Sequence, residues 1–264
     1  MTTSLMASTV RMYNWPSQAF WRYFEAKHLL DVRCFGPILE LGCGDGRFTA
    51  LIFKAVEEAI DINPRAVERA RRMAPDLYGN LRCMDARQLT EEPGRYGTVF
   101  ANCVMEHIPD VERVLEGCFI ALSPGGSLVM TVPLKRMNDH LILPARWYAS
   151  MRQRQLVHLN LLTESEWADL LGRIGFSDIT MQPYLSGKAC RFWDSLDAIG
   201  CVGFGRYRLS AALRLMAKAL LPIGVKRSIH KRLTAYLETK AEQMPADHNP
   251  CATVIVARKT NEAQ

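Results

Sequence analysis

The feature that most constrains this chain is a glycine loop at residues 40–46, Glu40-Leu-Gly42-Cys43-Gly44-Asp45-Gly46. It follows a short apolar run at residues 37–41 and precedes residues 47–54, which read as a helix. A strand that feeds such a loop lets a ligand approach the backbone, because glycine accepts positive φ and lacks the Cβ that would strike it. The helix beyond presents free N–H groups and the positive end of its dipole. Dinucleotide folds use this device for a pyrophosphate and carry a third glycine in G-x-G-x-x-G. Here Arg47 takes that place and bars the tight helix–strand packing the glycine serves. The spacing suits instead a ligand with a small carboxylate and a nucleoside but no phosphate. Glu40 and Asp45 make the loop acidic, which repels phosphates and attracts a sulfonium or an ammonium.

The surrounding pattern alternates strand and helix. Strands are expected at residues 55–60, 81–84, 98–103, 127–132, 176–181 and 253–257, after the first at 37–41. Helices are expected at 63–73, with Asn63 as cap and Pro64 in the first position, and at 111–122. Another is expected at 163–175, where Thr163 and Glu166 form a capping box and Gly175 marks the stop. A helix at 16–30 is expected to cover the open end, and residues 134–162 read as irregular. This order predicts an α/β fold with a doubly wound, mostly parallel sheet. Asp61 ends the second strand 19 residues after Gly42, the distance of a ribose-binding acid in nucleoside folds. Asp85 ends the third and is placed to accept from an adenine amino group.

With 264 residues and 48% hydrophobic content the chain can bury a core without staples. Its eight cysteines form no C-x-x-C pair, which points to reduced thiols rather than disulfides or a zinc site. No basic-then-apolar leader opens the chain and no run of roughly 18 apolar residues occurs, so a cytoplasmic location is the expectation. The basic character belongs to one stretch. Residues 186–232 hold ten Lys or Arg and two Asp, a net +8, against +6 for the whole chain. Within it, residues 206–221 place Leu209, Leu213, Met216 and Leu220 on one helical face, with Arg214 and Lys218 off it. Residues 225–237 repeat the scheme with Val225, Ile229, Leu233, Tyr236 and Leu237 apolar and Lys226, Arg227, Lys231 and Arg232 basic. Two readings stand: helices packed on the core with a solvated basic face, or a surface over 206–237 for anionic membrane or a lipid-linked acceptor. No nucleic-acid-binding motif accompanies the charge.

Five motifs in order resemble those of the class I (Rossmann-like) S-adenosylmethionine-dependent methyltransferases, closest to the ubiquinone-biosynthesis-like, methyltransferase-11-type group. They are the glycine loop, Ile60-Asp-Ile62, Met84-Asp-Ala86, Asn102-Cys-Val-Met-Glu-His-Ile108 and Leu122-Ser-Pro-Gly-Gly126. The resemblance implies a seven-stranded sheet with the last strand antiparallel. It divides the chain into an N-terminal helical cover (1–35), a cofactor-binding core (36–183), a basic helical insertion (184–250), and the last strand with a tail (251–264). It also implies S-adenosylmethionine as cofactor and S-adenosylhomocysteine as product. Glu40, Gly42, Cys43, Gly44, Asp45 and Gly46 would surround the methionine part, and Asp61 would bind the ribose. Ile62 would pack on the adenine, Asp85 and Ala86 would meet its edge, and Asn102, Cys103 and Val104 would line the methyl-donor end. The family carries an acid just before the fourth strand, where this chain has Tyr96-Gly97.

Methyl transfer from a sulfonium is an in-line displacement in which positioning and desolvation supply much of the rate. A hydroxyl acceptor also needs a base. His107 after the fourth strand is the best placed, with His158 and His140 in the segment after the fifth. Cys43 and Cys103 read as small packing residues. Glu106 beside His107 makes only two ligands, so no metal site is expected. The Asn/Asp-Pro-Pro-Tyr motif of amino-methylating enzymes is missing at 102–105. The expected activity is methyl transfer to an oxygen of a small, lipid-linked or sugar-linked metabolite. The alternatives are a non-catalytic nucleoside-binding module and a nicotinamide-dependent oxidoreductase.

Overall fold

The computed structural model describes residues 4–260 apart from 14, 92, 202, 205, 206, 209, 210, 212–221 and 248. In chain order, α1 (Leu5–Met12) and α2 (Pro16–Leu29) precede β1 (Ile38–Leu41), α3 (Thr49–Ile52), β2 (Val56–Asp61), α4 (Pro64–Met73), β3 (Tyr78–Cys83) and β4 (Tyr96–Asn102). Then come α5 (Val111–Ala121), β5 (Leu122–Pro133), α6 (Arg146–Leu156), α7 (Glu164–Ile174) and β6 (Phe176–Leu185). The chain closes with α8 (Gly187–Cys201), the short β7 (Gly203–Phe204) and β8 (Tyr207–Arg208), α9 (Ile223–Glu242) and β9 (Ala252–Lys259). Seven strands make one sheet in the order β3-β2-β1-β4-β5-β9-β6. β9 runs antiparallel to both neighbours, and the other pairs are parallel. The strand order reverses between β1 and β4, the place where open α/β sheets bind ligands beyond their carboxyl ends.

Period-two alternation sends side chains to two cores. Phe100, Val129 and Val254 point into one, where Phe20, Phe24 and Trp193 of α2 and α8 cover them. Val99, Ala101, Leu128, Met130 and Ile255 point into the other, under Val114, Leu115, Trp167 and Leu171 of α5 and α7. The central strands are therefore buried on both faces. The expected caps form: Asn63 accepts from the Arg65 amide at 3.0 Å, and the Thr163 hydroxyl takes the Glu166 amide while Glu166 takes the Thr163 amide. Gly175 ends α7 at φ 113°, a conformation that glycine adopts without strain.

Several expectations need correction. Residues 134–162 are not irregular: a 3₁₀ turn spans Lys135–His140 and α6 follows. The third strand begins earlier, at Tyr78, and ends at Cys83, so Asp85 lies just past it. α3 is only four residues, because the chain after the glycine loop turns before it coils. On α9, Val225, Ile229 and Tyr236 are exposed rather than packed on the core, while Leu237 is buried. Most of the helix expected at 206–221 lies outside the described residues. The Tyr96-Gly97 departure has a steric reason. A Cβ on Gly97 would stand 2.7 Å from the carbonyl oxygens of both Phe35 and Gly36, so only glycine admits the segment that leads into β1.

Candidate active site

The carboxyl ends of β1, β2, β3 and β4 surround a cavity of about 340 Å³ lined by Gly42, Asp61, Ile62, Asp85, Ala86, Cys103, Val104 and His107. That is the size of a small-molecule site. Asp61 holds the loop in shape: its Oδ2 accepts the Gly44 amide at 3.0 Å and its Oδ1 the Asn63 amide at 2.8 Å. Gly44 has φ +59°, and a Cβ built there meets nothing within 4 Å, so its backbone borders open space. Ile62 is 66% exposed and offers an apolar wall to a flat ring. Asp85 is gripped by Arg87 through its backbone amide, Nε and Nη2, and these hydrogen bonds hold its carboxyl below the usual range. Acid at the strand ends, an apolar face and a side-chain-free loop fit a cationic nucleoside such as S-adenosylmethionine.

Other expected cofactor residues stand behind this wall. Glu40 is buried, with Oε1 taking the Thr49 hydroxyl at 2.5 Å and Oε2 the Tyr78 hydroxyl at 2.7 Å. Burial pushes its carboxyl up to about 7. Asp45 is claimed by Arg47; burial raises its carboxyl, but the Arg47 hydrogen bonds outweigh that and hold it low. Arg47 also donates to the Met12 carbonyl at 2.9 Å, which ties the loop to α1. Cys43 and Gly46 pack inward, and Asn102 accepts from Thr131.

A second cavity, of about 310 Å³, lies under the helical cover and is lined by Tyr13, Trp21, Arg22, Met137, Leu156, Trp193 and Asp197, with Cys103, Glu106, His107 and His158. Cys103 and His107 line both cavities and so form their shared wall. Cys103 has φ +50°, strained for a residue with a side chain, and several contacts hold it there. Its amide donates to Thr131 Oγ1 at 3.0 Å and its thiol to Glu25 Oε1 at 2.8 Å. Burial raises that thiol well above its ordinary range, so it stays protonated and packs rather than attacks. Glu25 is fully buried and also accepts from Trp21 Nε1 at 2.6 Å, Arg22 Nη1 at 2.6 Å and the Tyr184 hydroxyl at 3.2 Å. It joins the cover helix α2 to the ends of β4 and β6. No motif flags it, because the partners that tie it to the sheet, Cys103 and Tyr184, come from distant parts of the chain, while Trp21 and Arg22 lie on its own helix.

The structure brings His158 to His107. α6 ends with Val157 at φ +58°, which turns the chain so that Leu159 and Asn160 donate to the Glu106 carbonyl at 2.7 and 3.1 Å. The Asn160 amide then bonds the carbonyls of Met105 and Ile108. The two imidazoles lie 5.4 Å apart, centre to centre. His107 Nδ1 is 3.0 Å from the Val157 carbonyl and His158 Nδ1 is 2.7 Å from Gln153 Oε1, and because both oxygens accept, each ring donates from Nδ1. Burial, then the charges of His107 and Arg152, lower His158 to about 4. Glu106 is 1% exposed, and burial pushes its carboxyl up to about 8.

Comparison with known proteins agrees with this geometry. A methyltransferase-domain family model matches residues 22–181, more than half of the chain. The chain is 26% identical over 168 residues to a ubiquinone biosynthesis O-methyltransferase of Coxiella burnetii, covering 59% of this chain and 67% of that protein. It is 27% identical over 165 residues to a trans-aconitate 2-methyltransferase of Deinococcus radiodurans, covering 58% and 62%. The fold matches a SAM-dependent methyltransferase from Thermotoga maritima, described as a possible histamine N-methyltransferase, with TM-score 0.58, 15% identity and 91% and 90% of the two chains. The chain therefore belongs to the methyltransferase-domain family, in the class that uses S-adenosylmethionine.

Proposed function

We propose that this protein transfers the methyl group of S-adenosylmethionine to an oxygen of a small, lipid-linked or sugar-linked acceptor. The observation that carries the reading is the shared wall: a ligand in the β1–β4 cavity and one under the cover meet at Cys103 and His107. When bound, the cofactor supplies an activated methyl group on a sulfonium. Asp61 is assigned to the ribose hydroxyls, Ile62 to the adenine face, Asp85 and Ala86 to its edge, and Gly42 and Val104 to the methionine end. Trp21, Trp193 and Met137 would exclude water from the acceptor, and the cover helices would orient its oxygen toward the wall. The proton of a hydroxyl acceptor would leave through the Glu106, His107 and His158 cluster, where His107 Nε2 is the nearest base to the cofactor side.

The oxygen acceptor draws support from the printed name of the Coxiella burnetii relative, an O-methyltransferase. The lipid-linked version draws support from α9, where exposed Ile223, Val225 and Ile229 stand beside Lys226, Arg227, Lys231 and Arg232. Calorimetric titration with S-adenosylmethionine and with NAD, followed by detection of S-adenosylhomocysteine over a panel of hydroxyl and carboxyl acceptors, tests the reading. Binding of the methyl donor with turnover on an oxygen acceptor is expected. Binding of NAD alone would sink it, and donor binding without turnover on any acceptor would favour a non-catalytic module.

A further inference from the structure

The cavity under the helical cover is lined by a guanidinium whose donors are only partly used. Arg22 Nη1 donates to Glu25 Oε2 at 2.6 Å, while Nε and Nη2 have no hydrogen-bond partner among the described residues. The side chain keeps 27% exposure where it borders the cavity. Glu25 does not belong to Arg22 alone, since it also accepts from Trp21 Nε1, the Tyr184 hydroxyl and the Cys103 thiol. The guanidinium is fixed in place, with Glu25 on one side and the Phe48 ring 5.3 Å beneath it. Among the described residues that line the cavity, Arg22 is the permanent cation. The acids there bring little opposing charge. Asp197 accepts the Ser17 hydroxyl at 2.8 Å on one oxygen and Arg152 Nη2 at 2.6 Å on the other. Glu106, its carboxyl pushed up to about 8 by burial, is protonated at neutral pH.

We infer that the acceptor is a small hydroxy acid whose carboxylate docks on the unclaimed N–H groups of Arg22. A guanidinium fork matches a planar carboxylate with two parallel hydrogen bonds, and a guanidinium already oriented gives up little freedom in making them. One cation that already faces Glu25 suits one negative charge. A phosphate monoester would bring a second charge with no cation to meet it, and an unpaired charge is costly to bury. Tyr13 lines the same cavity, and burial raises its phenol so that it stays protonated and can donate to the docked group. Trp21 and Trp193, edge to face with ring centres 4.9 Å apart, give the body of the acceptor an apolar wall.

The position of Arg22 also limits the length of the acceptor. Arg22 and Cys103 hold opposite oxygens of the Glu25 carboxylate, and Cys103 belongs to the wall between the two cavities. A carboxylate on Arg22 therefore lies beside that wall, and the hydroxyl that takes the methyl group stands only a few atoms from it. The role of this contact in catalysis rests on the methyl-transfer reading above; the binding of an acid does not. The carboxylate is held and not consumed. The hydroxyl oxygen forms its bond to the methyl carbon as the C–S bond breaks and its electron pair returns to sulfur, while the hydroxyl proton leaves to the base. Arg22 is thus a specificity residue, which selects the acceptor by charge and turns it toward the wall.

The test gives the full chain salicylate, mandelate and lactate, each beside its primary amide, with phenyl phosphate as a further anion. Binding is followed by ligand-observed NMR, and turnover by S-adenosylhomocysteine formed from S-adenosylmethionine. The wild type should favour the acids over their amides by about 10- to 100-fold, the range of a charge-assisted hydrogen bond. Arg22→Gln should bring that ratio to within about twofold of one, and Arg22→Lys, which keeps the charge but not the fork, should fall between. Titration with S-adenosylmethionine serves as the folding control, since Arg22 does not line the cofactor cavity. A variant that merely loosens the cover would weaken acid and amide alike and leave their ratio standing. Amides handled as well as acids by the wild type, binding of no acid at all, or tighter binding of phenyl phosphate would each overturn the inference. So would an acid preference that survives in a folded Arg22→Gln. Turnover of neutral acceptors without preference for acids would remove the carboxylate site and leave methyl transfer standing. Acid binding that depends on Arg22, with no S-adenosylmethionine binding, would do the reverse.

Discussion

Glu40 sits directly behind the glycine loop with both oxygens engaged, so its charge acts on stability before it acts on any ligand. Burial raises its carboxyl to about 7 in the folded chain, against an ordinary value of about 4.3 when unfolded. Between those values the folded state binds more protons, so this residue's contribution falls as pH rises from about 4.5 to about 7 and is level above. Glu40→Gln keeps partners for Thr49 and Tyr78 and removes the slope, a difference of roughly 3 kcal/mol across the window. Denaturant unfolding of both proteins at pH 5, 6 and 7 checks this; parallel profiles would mean that Glu40 keeps its ordinary affinity for protons. Two glycines separate fold from site in the same manner. Gly97→Ala drives a Cβ into two backbone oxygens and should cost at least about 2 kcal/mol in stability. Gly44→Ala meets no atom and should cost only about 1 kcal/mol for its positive φ, yet weaken S-adenosylmethionine binding more than tenfold. Equal cofactor affinity in Gly44→Ala and wild type would show that the loop does not border the ligand. Of these residues, the glycine loop and Asp61 were legible from spacing alone. Glu40 was legible as an acid near the loop, but its direction, inward to Thr49 and Tyr78, depends on a tyrosine 38 residues away.

At the scale of elements, legibility followed whether an element buries an apolar stripe. α7 does, through Trp167, Leu170 and Leu171, and its capping box marks its start, so the sequence shows it plainly. α6 does not. Its buried residues are Tyr148 and Arg152, so no apolar period betrays it and the segment reads as irregular. It is held by charge: Arg152 Nε donates to Asp194 at 2.7 Å and Nη2 to Asp197 at 2.6 Å, while the Tyr148 hydroxyl and the Ile142 amide also donate to Asp194. Arg152 and Asp194 are both fully buried, and removing one partner of such a pair leaves the other charge uncompensated. Arg152→Met should therefore lose about 3–5 kcal/mol. Leu156 of α6 and Trp193 and Asp197 of α8 line the cavity under the helical cover and not the β1–β4 cavity, so under the proposed function the variant should raise the KM for acceptor while the Kd for S-adenosylmethionine stays within about twofold. A thermal melt with cofactor and acceptor titrations reads both effects. A comparable loss of cofactor affinity would show that α6 and α8 support the whole sheet edge rather than one cavity.

Over the whole molecule, charge is segregated. The stretch 186–232 carries net +8, and the remainder of the chain is therefore slightly acidic. α9 presents part of that charge beside exposed apolar side chains, and Arg11 of α1 joins Lys226, Arg227, His230 and Lys231 around one groove. No described helix is long and apolar enough to cross a membrane. Contact with lipid combines two terms: apolar side chains entering the headgroup layer, and attraction of about 1 kcal/mol per Lys or Arg near an anionic surface. The second term is screened over about 10 Å at 0.1 M salt, so it should fade as salt rises. Vesicles with a third of anionic lipid should sediment the protein at low salt, neutral vesicles should not, and 0.5 M salt should release it. Reversing Lys226, Arg227, Lys231 and Arg232 to Glu should abolish sedimentation while leaving S-adenosylmethionine binding intact, because none of the four lines the cofactor cavity. Ile229→Ser separates the terms, since it should weaken binding without changing its salt dependence. No sedimentation at low salt would leave the basic face to the solvent and remove the support for a lipid-linked acceptor. The methyl-transfer reading would survive that result, because it rests on the wall at Cys103 and His107, which no residue of α9 lines.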